Sequence, residues 1–153
     1  LIVISALVVQ VGNEQYVIPL ENVREVARPS SEMITNIKGN SEVVTFRENV
    51  YPLVRLGTVL GESSMSKDIH EQVMIVLEKE GVKAAAPVER LLGLQQVVLK
   101  NVEGSLRKGS LVAGAAVLGD GRVGLVLDVK GIMEKYRDSQ RISVEMPRAR
   151  LGE

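Results

Sequence analysis

The 153-residue sequence contains no cysteine, no tryptophan and a single histidine, His70. The absence of cysteine excludes a disulfide scaffold, an iron–sulfur centre, a thiol nucleophile and a thiolate-ligated zinc site. One histidine excludes a metal site built from several imidazoles. We therefore expect neither a metal nor a cofactor in this chain.

The sequence also has few aromatic residues and no formal net charge. The sequence has three tyrosines and one phenylalanine, and its 19 basic and 19 acidic residues give a formal net charge of zero. Few aromatics leave no platform on which nucleic-acid bases could stack, and zero net charge argues against a chain that coats DNA or RNA. Because 45% of the residues are hydrophobic, the sequence is typical of a folded protein rather than a disordered one. We therefore expect a folded protein that does not bind nucleic acid.

The two ends of the sequence differ in character. The chain begins with Leu1 rather than methionine, which favours a piece of a longer or processed protein. The apolar run from Leu1 to Val11 is interrupted by Ser5 and Gln10. It is shorter than the ~20 residues that cross a bilayer and lacks the cleavage site of a signal peptide, so it predicts a long first strand and no membrane insertion. Residues 138–153 are polar and charged and predict a poorly ordered tail.

Short apolar runs alternate with turn residues along most of the chain, which is typical of many short β-strands. Tight hairpin turns are predicted by glycine and asparagine, most clearly at Gly119-Asp120-Gly121. Helices are predicted at Leu56–Leu60 and Lys130–Tyr136. Loops are predicted at Ser30–Gly39 and Asn101–Gly109. The pattern as a whole predicts an all-β fold class.

The two halves of the sequence repeat the same order of features. Val50–Leu56 aligns with Val123–Val129, and a Pro-x-Glu motif follows the first predicted hairpin of each half. Either the chain is an internal duplication, or two β-rich halves align by chance. Closure into a barrel would remove the exposed sheet edges of so small a half. Duplication therefore predicts a domain at residues 1–137, with barrels at about 5–61 and 72–129 and the first strand and terminal helix at their seam.

No group of side chains forms a recognisable catalytic site. Glu21 and Glu25 are four residues apart, a spacing that a solvent-exposed helical face explains without a catalytic pair. His70 lies in the polar segment between the halves, where an ordinary surface position explains it. Gly119-x-Gly121 lies between two predicted strands, whereas a phosphate-binding loop requires a helix after its glycines. We expect no catalytic residues and no enzymatic activity in this domain.

Two charged residues, Glu25 and Arg47, lie where an ion pair between them would brace a turn against a strand. Glu25 interrupts the apolar stretch Val23–Val26, and Arg47 ends a predicted strand beside the turn at Glu48–Asn49. Each is either an ordinary surface charge or half of a Glu25–Arg47 pair that braces the turn against the strand. An arginine suits a bidentate contact with a carboxylate. The sequence leaves both interpretations open.

Four segments resemble the CheW-like domain of bacterial chemotaxis. They are Leu7–Leu20 with the Val-x-Glu-Val that follows, Phe46–Leu56, Leu91–Lys100 and Gly114–Val129. The resemblance extends over about Ser5–Tyr136, and the last segment is its most specific combination of residues. It implies a fold of two packed SH3-like five-stranded β-barrels.

Within the family, two motifs resemble the C-terminal regulatory domain of the chemotaxis histidine kinase CheA more closely than free-standing CheW. These are Pro52–Leu56 and Leu118–Arg122, and free CheW tends to have an acidic residue where Arg55 stands. The resemblance implies a non-catalytic adaptor within a parent histidine kinase. The implied partners are the CheW coupling protein, the tips of methyl-accepting chemoreceptors and the kinase domain of the parent chain, in cytoplasmic arrays beside the membrane.

The same resemblance implies a set of interaction residues. Carried over by matching position, the partner-binding or site-bracing residues are Val23, Glu25, Val26, Arg47 and, from its place on the adjacent strand, Tyr51. The barrel ends would contact CheW, and the groove between the barrels would contact the receptor.

The sequence departs from the family pattern in three places, one of which is the stretch Ser139–Glu153, for which the family pattern has no counterpart. Glu48 replaces a turn glycine, and Asn49 could supply the left-handed residue instead. The small residues of Ala84–Pro87 replace bulkier ones, which would thin the second barrel or change its partner face. Two alternatives remain from the sequence: a free-standing CheW-type coupling protein, and an unrelated ligand-binding double barrel or an enzyme whose site is not recognisable.

Overall fold

The computed structural model describes residues 1–37, 39, 41–66, 68–100 and 110–151, with side chains up to residue 141. The predicted all-β fold class is confirmed, and the predicted loop Asn101–Gly109 lies outside the described residues. The described strands are β1 (Ile2–Val11), β2 (Glu14–Pro19), β3 (Val23–Ala27), β4 (Ile34–Ile37), β5 (Ser41–Phe46), β6 (Asn49–Pro52), β7 (Val73–Lys79), β8 (Val82–Val88), β9 (Arg90–Lys100), β10 (Val112–Val117) and β11 (Val123–Leu127). The described α-helices are α1 (Leu56–Val59) and α2 (Val129–Leu151).

Strands from the two ends of the chain close one five-stranded barrel, in the order β1-β2-β11-β10-β9. Its neighbours are antiparallel except for β2 and β11, which pair in parallel and place Tyr16 opposite Leu125. Except for Leu118, small and β-branched side chains fill the interior, as the narrow bore of a five-stranded barrel requires. They are Ala6, Val8, Val17, Val97, Ala116, Leu118 and Val126.

Strands from the middle of the chain form a second, smaller unit of two sheets, β3-β7-β8 and β4-β5-β6. The sheets meet where Leu53 bridges Ala85 and the Val54 amide donates to the Ala85 carbonyl at 2.8 Å. Ala84–Ala86 are fully buried, and their small side chains allow this close approach. The unit has six strands rather than five because β4 lies inside the predicted loop Ser30–Gly39.

The prediction of one barrel at residues 5–61 and another at 72–129 is wrong. β9 of the second half pairs along β1, and β3 of the first half pairs with β7. The two halves therefore exchange their first two strands: β1 and β2 close a barrel with β9, β10 and β11, and β7 and β8 join the unit that contains β3 to β6. β1 has 10 residues, β3 has 5 and β9 has 11. Pairing with β3 would leave half of the buried β1 edge without hydrogen-bond partners, whereas β9 covers its whole length.

From Ala6 onward, the first strand is buried on both of its faces. Ala6 and Val8 point into the closed barrel, whereas Leu7 and Val9 point into the largest hydrophobic cluster, which lies between the two units. This alternation follows from the two-residue period of a strand. Because that cluster also contains side chains of β7, β8 and α2, the main core of the protein is the seam itself.

The terminal helix is longer than predicted. The Asp128 carboxylate caps its first turn by accepting a hydrogen bond from the Gly131 amide at 3.0 Å. α2 then continues past Tyr136 to Leu151, so residues 138–151 of the predicted tail are helical, while residues 152 and 153 lie outside the described residues. No proline or glycine lies between Tyr136 and Pro147 that would end the helix soon after Tyr136.

Neither helix in the described part of the chain is long and apolar enough to cross a membrane.

Candidate functional site

β3 is an edge strand that offers an apolar side chain to solvent. Among the described strands it pairs only with β7, and a register shift interrupts that pairing between Val23 and Glu25. Val23 packs against the seam cluster, whereas Val26 is 43% exposed. An exposed valine beside an unpaired strand edge is a surface that a partner protein can cover.

The predicted contact between Glu25 and Arg47 is confirmed. Arg47 Nη1 donates to Glu25 Oε1 at 2.9 Å, and the Arg47 guanidinium also lies over the Phe46 ring at 4.9 Å from its centroid. The contact has one hydrogen bond, so the bidentate geometry that an arginine suits is not formed. Because the Arg47 side chain is 73% exposed, we expect it to add only about 0.5 kcal/mol to stability.

A strained two-residue turn positions Arg47 for its contact with Glu25. Phe46 pairs with Asn49 across a two-residue hairpin, and the two residues between them, Arg47 and Glu48, both have left-handed backbones with φ of 49° and 67°. A two-residue hairpin of this kind requires positive φ at both central positions. Glu48 itself therefore takes the conformation of the missing glycine, and the prediction that Asn49 would take it is wrong. Asn49 instead donates from Nδ2 to the Arg47 carbonyl at 3.1 Å.

An open polar cleft of about 450 Å³ lies between β3 and the β5–β6 hairpin. Three of the five predicted site residues line this cleft: Val23, Glu25 and Tyr51. Arg47 does not line it but contacts Glu25. Val26 does not line the cleft. Tyr51 is 7% exposed and belongs to the core of the smaller unit. It can therefore meet a partner only through the part of its side chain that lines the cleft.

Sequence reasoning missed the charged residues around this cleft. Glu78 lies between two cations, 3.5 Å from Arg24 Nη1 and 3.7 Å from Lys83 Nζ. Arg24 and Lys83 line the cleft. A signal for one of these contacts was present in the sequence, because Glu80-Gly81 is typical of a hairpin turn, and the hairpin of β7 and β8 places Glu78 opposite Lys83.

A second ion pair, Arg55 with Glu42, was also missed, and it has the bidentate geometry. Arg55 Nε and Nη2 donate to the two Glu42 oxygens at 2.8 and 3.1 Å. These hydrogen bonds hold the pKa of Glu42 below its ordinary value against the opposing effect of burial, and they raise the pKa of Arg55. Glu42 shares a small cavity with Tyr136 of α2, and the neighbouring Ser41 hydroxyl donates to Gln140. This part of β5 therefore holds the middle of α2.

In the part of the chain that the structure describes, no three histidine, cysteine, aspartate or glutamate side chains are grouped so that they could hold a metal ion.

Comparison with known proteins gives consistent matches along the chain. The family model of the CheW-like domain matches residues 5–137. The chemotaxis protein CheA of Salmonella typhimurium is 31% identical over 94% of this chain, and that of Rhizobium meliloti is 33% identical over 99%. The matched part is 21% and 20% of those proteins, so the chain spans about one fifth of the length of these curated relatives.

A solved structure has the same fold. The scaffolding protein TtCheW from Thermoanaerobacter tengcongensis superimposes with a TM-score of 0.68, and the match covers 84% of this chain and 90% of that one. At 19% sequence identity, the likeness concerns the fold.

Proposed function

This chain belongs to the CheW-like domain family, and from that membership we propose that it is the regulatory domain of a chemotaxis histidine kinase. The proposal rests on one observation above all: relatives named chemotaxis protein CheA match nearly the whole chain at 31% and 33% identity. In this proposal the domain carries out no reaction itself. Phosphotransfer belongs to other parts of a longer protein, and this domain couples the state of chemoreceptors to that activity.

We further propose which proteins the domain binds. Its partners are a CheW coupling protein, the tips of methyl-accepting chemoreceptors and the kinase domain of the same parent chain, in cytoplasmic arrays beside the membrane. The exposed Val26 supplies the apolar centre of a docking surface, and the cleft with Glu25, Arg47 and the cations around Glu78 supplies a charged rim. An apolar centre gives affinity, whereas charges at the rim fix register.

Val23 and Tyr51 have a supporting role in this proposal. Both pack into core clusters while lining the cleft, so they fix the position of the exposed residues around it. Because the seam core joins the two units, a partner that holds one unit also fixes the orientation of the other. A receptor that binds one orientation better than another would then shift the kinase between active and inactive populations.

The test is binding and control in a reconstituted system. The purified domain is titrated with CheW and with a soluble receptor-tip fragment by calorimetry, and the parent kinase is assayed with and without this domain in the presence of receptor. We expect binding to both partners and loss of receptor control when the domain is deleted, with the basal kinase reaction retained. Absence of binding to both partners would overturn the proposal.

A free-standing coupling protein is the second candidate, because the match covers 90% of the TtCheW chain. The residues that precede Leu1 in the full-length gene product separate the two candidates. An ATP-binding kinase domain there supports the first, and an initiator methionine immediately before Leu1 supports the second.

A further inference from the structure

The outer face of the closed barrel carries a row of four valines, one from each of four neighbouring strands. The cross-strand pairs that form the row are Val3 with Val98, Val98 with Val117, and Val117 with Val123. Residues directly opposite each other in antiparallel strands lie on the same face of the sheet. The chain neighbours Ile4, Val97 and Ala116 pack in the barrel interior, so the alternation along each strand places the four valines outside. We call these four residues the valine row.

The valine row is open to solvent. Val3 is 49% exposed and Val123 is 62% exposed, whereas Val98 and Val117 are half-buried. None of the four belongs to a hydrophobic cluster of the described residues. Neighbouring strands lie about 4.8 Å apart, so three spacings give the row a length of about 14 Å. Single exposed valines are ordinary, whereas a continuous apolar strip across four strands is typical of a surface that another protein surface covers.

Polar residues make this apolar strip narrow. On the same face, two residues further along each strand, Ser5 lies opposite Gln96 on one side of the row, and Lys100 lies opposite Ala115 on the other. A stable complex of two separate proteins buries about 800 Å² on each partner, which four valine side chains do not supply. A freely diffusing partner, or a second copy of the chain, would therefore bind weakly to the valine row alone.

A domain that is joined covalently beside the valine row is not subject to this limit. Val3 lies two residues after Leu1, at the start of β1, so a chain segment that precedes Leu1 leaves the domain beside the row. A short linker gives an effective concentration on the order of millimolar, at which a weak contact is occupied. Contacts between domains of one chain are accordingly similar in area to transient interfaces.

We propose that the valine row is the docking surface for the kinase domain that precedes Leu1 in the parent protein. The inference rests on the proposed function, since that function supplies the kinase domain. An apolar surface of the kinase domain covers the four valines, and polar groups around it contact Ser5, Gln96 and Lys100.

This position of the kinase domain suits control by a partner at β3. The valine row belongs to the closed barrel, whereas β3 belongs to the smaller unit. The seam core joins the two units. A partner that binds at β3 would therefore reach the kinase domain through the orientation of the barrel and would not compete for the same surface.

The test is hydroxyl-radical labelling of the intact parent kinase, without CheW or receptor, with mass spectrometry as the readout. Two pairs of valines with similar exposure in the structure supply internal references: Val123 at 62% with Val50 at 64%, and Val3 at 49% with Val82 at 43%. Because docking excludes water from the row, we expect roughly threefold less labelling of Val123 and Val3 than of their references. Equal labelling within both pairs overturns the proposal.

Two variants test whether the protection comes from the valine row. Val123→Asp changes an exposed position, so the fold should be retained by circular dichroism, but docking would bury the charge without a partner. We expect it to raise the labelling of Val3 to that of Val82. Val50→Asp, at an equally exposed position of β6, is the control and should leave Val3 protected. Protection of Val3 that persists in Val123→Asp, or that both variants abolish, contradicts the proposal.

The other possible outcomes are distinguishable from kinase docking. Protection of the valine row that is lost on dilution indicates a second copy of the chain and overturns the proposal. An initiator methionine immediately before Leu1 overturns the proposed function and the docking together. Equal labelling in a protein that does have the kinase domain overturns the docking alone.

Discussion

Arg55 holds the Glu42 carboxylate with two parallel hydrogen bonds, the only bidentate ion pair among the described residues. The pair lies where β5, the turn before α1 and the middle of α2 meet. The pair couples an element of the smaller unit to the helix that closes the seam core. Loss of the pair should therefore destabilise more of the domain than the two residues themselves.

Glu42 should make the stability of the domain dependent on pH. Its pKa in the folded protein is lower than the ordinary value of 4.5, so its contribution is present above that value and is lost as the pH falls through the lower folded pKa. We expect Glu42→Gln to cost about 1 kcal/mol at pH 7, since both side chains are partly exposed, and progressively less as the pH falls below 4.5. Urea unfolding of both proteins at several pH values measures this. Glu32→Gln, at an exposed position, is the control, and a difference that does not shrink on acidification contradicts the expectation.

The Glu25–Arg47 contact should be detectable as coupling between the two side chains. In a double-mutant cycle of Glu25→Ala and Arg47→Ala, we expect a coupling of about 0.5 kcal/mol in unfolding free energy, because the pair is exposed. If the pair also braces the docking surface, the two substitutions should be non-additive in partner affinity as well. Additivity within error in both measurements would remove the bracing role.

Val26 should be required for docking and dispensable for folding. A charge at this exposed position does not disturb the core, but it would be buried without a partner in an apolar interface. We expect Val26→Asp to weaken binding to CheW or to the receptor tip at least tenfold by calorimetry, with an unchanged circular dichroism spectrum. Val82→Asp is a matched control, because Val82 has the same exposed fraction, 43%. Equal effects of the two substitutions would count against a specific surface at β3.

Glu48→Gly should stabilise the domain. Glu48 has a φ of 67°, a conformation that costs a residue with a side chain roughly 1 kcal/mol and costs glycine little. The expected gain is therefore about 0.5–1 kcal/mol, reduced by the greater freedom of glycine in the unfolded chain. Thermal unfolding measures it, and Glu48→Ala separates backbone strain from charge. A gain for alanine equal to that for glycine would assign the effect to charge instead.

Local pattern was enough to predict the all-β class, the hairpin turns and the short helix at Leu56. These features depend on residues close together in the chain. The strand exchange could not be predicted in this way, because the choice of β9 over β3 as the second neighbour of β1 depends on strand lengths and on a core assembled from distant segments.

The same limit applies to the candidate site. Glu25 and Arg47 were found because both interrupt apolar or turn patterns. Glu42 interrupts nothing in its neighbourhood, and its role arises only when β5 is folded against the turn before α1 and the middle of α2. Residues of this kind become visible only in three dimensions.

The exchange of strands has a consequence for how the protein is made. On the ribosome, the β1–β2 hairpin emerges first, but its neighbours β9 and β11 are near the other end of the described chain. The closed barrel therefore has a high contact order and cannot form until nearly every strand has been synthesised, which predicts slow folding. Until then, the apolar side chains of β1 from Ala6 onward have nothing to cover them, which predicts that the N-terminal half does not fold early on its own.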